Sequence, residues 1–513
     1  MKSRILLLLC LIAAIPLYSQ QINSGQIDSV VLLALKTFNV PGMAVAVVKD
    51  GKVIHSKGYG IRSIKTNQPV DENTLFGVAS NTKAFTSAAL GILVDEKKLK
   101  WDDRVIDYIP EFTMYDPYVT REFTIRDLLT HRSGLGLGAG DLMIWPEDSR
   151  TLKEIIHNLR YLKPVSSFRS KYDYDNLMYL VAGEIVARVS GISYEDFIEK
   201  RIMQPLGMTM SSASFVRIKN NPNVIDPHVP IDGKLVVAER SDWTVSDAAG
   251  GIYTNIKDMS KWIIMHMNDG MYGSGQRLLS TDVHNEMWSP VTTQKLSSPG
   301  DYNTHFSAYG LGWGLSDVKG YLRVSHTGSL MGMVTIVTLI PELKLGILVF
   351  TNQQSGGSMR AVTSFVLDRF LGVQGTDRIN QYSLSEQKSF KNAETVTQAV
   401  WKDIEAVEKF NSEKIDYGAF TGDYSDKWFG NVSITEKIGK LWFTAEKSSK
   451  LSGEMFHFRA NTFVVKWSDR TLDADAFVMF VLDKNGKASG FSMSAISPIT
   501  DFSFDFQDLE FTR

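Results

Sequence analysis

Three short clusters in this sequence carry side chains suited to acyl transfer. The first is Ser80-Asn81-Thr82-Lys83. On a helix, residues three apart share a face, so the Lys83 amine reaches the Ser80 hydroxyl. A serine hydroxyl is a poor nucleophile until a neighbour removes its proton, and a lysine in a dry pocket can lose its charge and serve as that base. A helix N-terminus also favours developing negative charge. The second cluster, Tyr174-Asp175-Asn176, offers a phenol that can shuttle a proton and an amide that can hold a substrate carbonyl. The third, His326-Thr327-Gly328-Ser329, closes a β-rich run. An edge strand with glycine lets an acyl group approach the backbone, where the Ser329 and Ser80 N–H groups can pair on an oxyanion. Taken singly, each cluster has a plain alternative: an N-cap for Ser80, a buried tyrosine beside a polar turn for Tyr174, and an ordinary turn at His326. Ser-x-x-Lys also recurs at Ser316/Lys319 and Ser385/Lys388, and Tyr-x-Asn at Tyr253/Asn255.

The elements that must position these residues are legible from periodicity. Two β-branched runs meet at Lys49-Asp50-Gly51 and predict a hairpin. Phe85, Ala88, Ala89, Ile92 and Leu93 form one stripe of an amphipathic helix that starts at the Ser80 cluster. A second helix is predicted from Leu177 to Val189, ending at Gly191. Strands follow near Leu322 to Ser325 and Met333 to Phe350, broken at Pro341-Glu342. Strands at both ends with helices between them predict an α+β domain over residues 22–371. Residues 372–414 turn polar and charged, with Val400, Ile404 and Val407 at helical spacing, and read as a linker containing a helical piece. Residues 415–513 read as a small antiparallel β domain, open or closed as a barrel. Its strands include Asn431 to Thr435, Leu441 to Phe443, Phe477 to Leu482 and the alternating Phe502, Phe504 and Phe506, with a tight turn at Asp483-Lys484-Asn485-Gly486. The Trp and Phe residues of this segment are expected to form its core.

At 513 residues the chain is too long for one ordinary domain, and 43% hydrophobic with 22% charged residues excludes disorder and a polytopic membrane protein. Fifty-five Lys and Arg against 57 Asp and Glu leave no basic excess for nucleic acid. Lys2 and Arg4 precede an apolar run from Ile5 to Leu17 and the small Ser19, the layout of a secretory signal peptide over residues 1–19. The expectation is a periplasmic or secreted protein with no stable membrane span after cleavage. The one cysteine, Cys10, lies in that segment, so the mature chain is expected to hold neither a disulfide nor a cysteine nucleophile. The nine histidines form no His-x-x-x-His pair, so neither a metal site nor a cofactor is expected.

Together and in this order, Ser80/Lys83, Tyr174/Asn176 and the basic residue before Thr327-Gly328 resemble the serine β-lactamase and penicillin-binding-protein superfamily. The likeness is nearest to class C β-lactamases and their esterase and D-aminopeptidase relatives. It extends to Val40-Pro41-Gly42, Thr74-Leu75-Phe76, the stretch from Thr124 to Leu135, and Ala249-Gly250-Gly251-Ile252-Tyr253. The last β domain resembles the lipocalin-like unit appended to such secreted hydrolases. The resemblance implies an antiparallel sheet flanked by helices plus an all-helical region. It implies Ser80 as the acylated nucleophile, Lys83 as its base, Tyr174 as proton carrier to the leaving group, and Asn176 with His326, Thr327, Gly328 and Ser329 as substrate-binding residues. The implied substrate is an ester, an amide or a D-amino-acid-containing peptide, a small molecule or a peptidoglycan-derived piece. The alternatives are a β-lactamase or D,D-peptidase proper, and a catalytically silent receptor for penicillin or peptidoglycan. One departure matters. The β-lactamase pattern places Lys before Thr-Gly, and here His326 stands there, a poorer grip for a substrate carboxylate when neutral.

Overall fold

The computed structural model describes residues 22–240, 244–410 and 415–513. The N-terminal segment read as a signal peptide, Cys10 included, lies outside the described residues.

The chain opens with helix α1 (Ser24–Thr37), started by a capping box in which the Asn23 side chain and the Gln26 side chain each take the other's backbone N–H. Strands β1 (Gly42–Lys49) and β2 (Lys52–Gly60) form the expected hairpin, with Asp50 and Gly51 both at positive φ in the turn. Helices α2 (Thr82–Asp95), α3 (Leu177–Ser190) and α4 (Ile256–Met267) follow. The chain then builds strands β3 (Thr292–Thr293), β4 (Ser307–Tyr309), β5 (Gly314–Val318), β6 (Tyr321–Leu330), β7 (Met333–Ile340) and β8 (Leu345–Thr351). Together with the first hairpin they form one antiparallel sheet, ordered β2-β1-β8-β7-β6-β5-β4-β3. Helix α5 (Gly356–Leu371) closes this part against α1.

Why β1 and β8 read as unbroken apolar runs is clear from what covers them. Met43, Val45 and Val47 of β1 pack with α1 and α5, whereas Ala44, Ala46 and Val48 face the core built around α2 and α4. On β8, Ile347 and Val349 join the first core and Leu348 and Phe350 the second. A strand buried on both faces has no polar side to alternate with. Phe85 of α2 stacks on Trp262 of α4 with ring centroids 3.9 Å apart, which fixes the helix that follows Ser80 under the sheet.

The segment read as a linker is one continuous helix, α6 (Arg378–Phe410), 33 residues long. It packs on α5 and α1 at one end, and Ile404 is buried with Val464 and Ile496 of the last domain at the other. Its polar composition reflects a helix with only one covered stripe. Residues 415–513 then form a closed barrel of eight antiparallel strands, β9 (Gly422–Asp426), β10 (Gly430–Lys437), β11 (Lys440–Ala445), β12 (Ser452–Arg459), β13 (Thr462–Trp467), β14 (Ala476–Leu482), β15 (Ala488–Ala495) and β16 (Glu510–Thr512). Closure removes the sheet edges. Its interior is filled by rings, among them Tyr424, Phe443, Phe463, Trp467, Phe480 and Phe491.

The alternation of Phe502, Phe504 and Phe506 is not a strand. These residues lie on the connection between β15 and β16, which leaves the barrel and enters the first domain. Phe504 meets Trp145 edge-on at 6.1 Å, and the Phe502 backbone passes so close to Gly138 that a Cβ there would lie 2.7 Å from its carbonyl oxygen. Further bonds tie the barrel down: Ser149 N–H to Lys447 O at 2.9 Å, Ser448 Oγ to Glu147 O at 2.6 Å, and Asn158 Nδ2 to Trp428 O at 2.9 Å. One buried apolar cluster runs through both domains. Among the described residues no single helix is long and apolar enough to cross a membrane.

Candidate active site

The turn that carries Ser80 sits where the helical region meets the sheet. Ser80 lies in a short 3-10 turn, Ala79–Asn81, before α2; the helix itself starts at Thr82, so Ser80 is not its N-cap. Ala79 holds φ +49°, an unusual value for a residue with a Cβ. The surroundings enforce it. Asn81 Nδ2 donates to Thr335 Oγ1 at 2.9 Å and Thr335 Oγ1 donates to Val78 O at 3.1 Å. Strand β6 crosses directly over the turn, and a Cβ at Gly328 would fall 2.1 Å from Val78 O and 3.0 Å from the Ala79 Cβ. Glycine is required there by close approach.

Lys83, one turn on, is fully buried, with its Nζ 3.0 Å from Ser80 Oγ, 2.7 Å from Asn176 Oδ1 and 3.0 Å from Ala249 O. Burial lowers its pKa to about 7, opposed by the negative charge of Asp141 and Asp175. In the neutral form two amine hydrogens go to Asn176 Oδ1 and Ala249 O, which leaves the lone pair directed at Ser80. The Tyr174 and Tyr179 rings flank the amine, with centroids 4.8 and 5.2 Å from Nζ. Burial pushes the Tyr174 phenol well above its ordinary range, so it is a neutral donor at neutral pH. Lys83 is therefore the group able to act as base.

Asn176 does more inside the protein than the sequence suggests. Its Oδ1 accepts from Lys83 and its Nδ2 donates to Asp141 Oδ2 at 2.7 Å, so both ends of the amide already have partners. His326 is likewise engaged. Thr327 O lies 2.6 Å from its Nδ1 and can only accept, so Nδ1 carries the hydrogen and Nε2 accepts from Tyr309 Oη at 2.7 Å. Burial, helped by the Lys83 charge, lowers its pKa to about 3. The ring is neutral at any ordinary pH. Thr327 and Ser329 border the pocket, and β6 loses β5 as a neighbour after the Ser325–Gly314 pair, which leaves the strand from His326 to Leu330 open toward Ser80.

The cavity in front of Ser80 is about 370 Å³ and is bordered by all three clusters. Six further residues complete the site. Asp141 and Asp175 are buried carboxylates flanking Lys83, each raised by burial to about 7. Tyr309 joins a nest of rings around His131, whose Nδ1 accepts from Asp175 N–H at 3.0 Å. Asp501, Phe502 and Ser503 of the barrel form one wall. Asp175 stands inside the second cluster; the other five carry no local signal for the site, because each reaches it through the fold rather than through spacing.

Residues 32–368 match the Beta-lactamase family model. The chain belongs to the β-lactamase family. Residues 411–513 match a domain of unknown function, DUF3471. This β-lactamase-family chain is similar to unguisins hydrolase ungD of Aspergillus violaceofuscus, with 27% identity over 379 residues, 69% of this chain and 66% of the relative. Unguisins hydrolase ungD' of Aspergillus campestris is 30% identical, over 68% of this chain and 66% of the relative. Protein flp of Staphylococcus aureus is 27% identical, over 65% and 64%. The chain thus spans just under two thirds of the length of these curated relatives. Among solved structures, the octameric penicillin-binding protein homologue from Pyrococcus abyssi superposes with TM-score 0.61 at 20% identity, over 96% of this chain and all of that one. A class C β-lactamase superposes with TM-score 0.56 at 22% identity, over 70% and 99%. Both likenesses concern the fold: an α+β domain with one large antiparallel sheet, and the 96% span of the first takes in most of the barrel as well.

Proposed function

We propose that this chain is an exported serine hydrolase that forms an acyl-enzyme at Ser80 with an ester, an amide or a D-amino-acid-containing peptide. The observation that carries the reading is Lys83, fully buried, its pKa lowered to about 7 and its amine 3.0 Å from Ser80 Oγ. Neutral Lys83 takes the Ser80 proton as Oγ bonds to the substrate carbonyl carbon. The oxygen that becomes negative sits between the Ser80 N–H and the open edge of β6 at Ser329. Collapse breaks the bond to the leaving group, which receives the proton from Lys83 by way of the Tyr174 phenol. Water then attacks the acyl ester and gives a proton to Lys83, and as the bond to Ser80 Oγ breaks Lys83 returns that proton to Oγ, which frees the acid and restores both groups. The fungal relatives named as hydrolases support hydrolysis as the outcome. Export rests on Lys2, Arg4 and the apolar run after them. The test is a fluorophosphonate probe followed by peptide mass analysis, with the adduct expected on the peptide that contains Ser80. An unlabelled Ser80 peptide under conditions that inactivate the protein would rule out this nucleophile.

The pH dependence follows from the same amine. Lys83 works only when neutral, so labelling and kcat/KM should rise with pH through about 7 and then level off. Asp141 and Asp175 titrate in the same range, so the apparent pKa belongs to the three groups together. A profile flat between about pH 5.5 and 9 would remove Lys83 from the role of base.

Charge selectivity is a second consequence. Among the described residues the pocket lining includes no arginine and no lysine, His326 is neutral with both nitrogens engaged, and Asp501 stands in the wall. A substrate carboxylate meets no cation there. We therefore expect neutral esters or amides to be better substrates than carboxylate-bearing β-lactams. His326→Lys should shift the ratio of kcat/KM for nitrocefin over that for a p-nitrophenyl ester upward, by about tenfold to a hundredfold, the worth of one charge-assisted contact. The comparison is made about one pH unit above the unperturbed histidine pKa. An unchanged ratio would show that position 326 does not set the charge preference.

A further inference from the structure

We propose that Ser503, carried by the barrel, is a positioning residue for the base: through Asp141 and Asn176 it fixes the Lys83 amine. The proposal rests on the acyl-enzyme reading above. Ser503 Oγ donates to Asp141 Oδ2 at 2.7 Å, Asn176 Nδ2 donates to the same oxygen at 2.7 Å, and Asn176 Oδ1 accepts from Lys83 at 2.7 Å. Ser503, Asp141 and Lys83 are all buried. A second bond set places the loop that carries Asp141. The Asp505 carboxylate, also from the barrel, accepts from Gly140 N–H at 2.6 Å and from Leu142 N–H at 3.1 Å, one on either side of Asp141.

The chemistry gives these bonds a direction. A side-chain amide has a donor end and an acceptor end, and its orientation is decided by what faces it. A carboxylate only accepts, so Asp141 draws the NH2 of Asn176 and turns the carbonyl oxygen toward Lys83. That orientation takes a hydrogen from the amine and leaves its lone pair for Ser80. The reverse orientation would aim an N–H at the lone pair and block the base. Ser503 keeps Asp141 in the accepting form, since its hydroxyl stabilises the charged carboxylate against burial, which favours the neutral acid. Without Ser503, Asp141 takes up a proton at higher pH. A neutral Asp141 no longer fixes the orientation of Asn176, so the base is freed only once that proton is lost, and the acid limb of the rate profile moves to higher pH.

The test is the rate of fluorophosphonate labelling of Ser80 in the full chain, between about pH 5.5 and 9. Wild type, Ser503→Ala and Ser503→Thr are compared, with Ser80→Ala as the blank. Ser503→Ala should label about tenfold to a hundredfold more slowly at the plateau, with its acid limb displaced to higher pH. Ser503→Thr, which keeps the hydroxyl, should restore both. Ser503→Ala with the wild-type rate and limb overturns the proposal, as does a threonine variant as slow as alanine with the limb unmoved. If Ser503→Ala fails to fold, Asp141→Asn reads the same limb from within the first domain, and an unmoved limb there overturns it too. A wild type that does not label at Ser80 sinks the acyl-enzyme reading and this proposal with it. A labelled wild type beside indifferent variants sinks the proposal alone.

Discussion

Ser80→Ala is expected to bring hydrolysis down to background, a loss on the order of ten-thousandfold or more, and to abolish covalent labelling. The fold should not notice. Ser80 Oγ is half-buried and bonds to Lys83 and to the Tyr174 phenol, while Lys83 keeps Asn176 Oδ1 and Ala249 O as acceptors. Losing those bonds costs about 1–2 kcal/mol, so thermal unfolding should shift by only a few degrees. The Lys83→Arg variant separates base from charge. A guanidinium can fill the site and satisfy the acceptors, but it stays protonated at any working pH and cannot accept from Ser80. It should be as inactive as Ser80→Ala. Near-normal turnover in either protein would mean that the Ser80–Lys83 contact is a structural bond at the start of α2.

The parts of this site that were legible in the sequence are those set by local geometry. Ser80 and Lys83 are one helical turn apart, and Asn176 precedes the first residue of α3, so spacing alone brings each into register with its element. The hairpin at Asp50-Gly51 and the stripe from Phe85 to Leu93 were legible for the same reason. What spacing cannot show is which ends of a side chain are already taken. Asn176 reads as a substrate holder until Lys83 and Asp141 are found on its two ends. His326 reads as a weak cation until Tyr309 and Thr327 are found on its two nitrogens. The phenylalanines at 502, 504 and 506 mislead for a different reason. A period of two also arises when a loop sends its rings to different places: Phe504 meets Trp145 of the first domain, whereas Phe506 stacks on Trp467 of the barrel. Val400, Ile404 and Val407 point to a helical piece, but the full length of α6 is hidden by composition, because a long helix covered along one stripe has the polarity of a linker.

A chain ending at Leu371 looks separable in the sequence, since the three clusters all precede it and a polar segment follows. The structure leads to the opposite expectation. Cutting there removes α6 from its seat on α5 and α1, and removes the loop between β15 and β16 from the first domain. Trp145 loses Phe504, the Gly140 and Leu142 N–H groups lose Asp505, and Asp141 loses Ser503. Exchanging those hydrogen bonds for water costs about 1 kcal/mol each, and the newly exposed apolar face adds to that. Against a total stability of roughly 5–15 kcal/mol, such a loss is large. The truncated protein should be insoluble, or melt at least about 10 °C below the full chain and label about a hundredfold more slowly. The measurements are soluble yield, thermal unfolding and fluorophosphonate labelling, each on both proteins side by side. A soluble truncation that melts and labels like the full chain would show that the barrel leans on the site without supporting it, and that Asp141 and Asn176 hold Lys83 unaided.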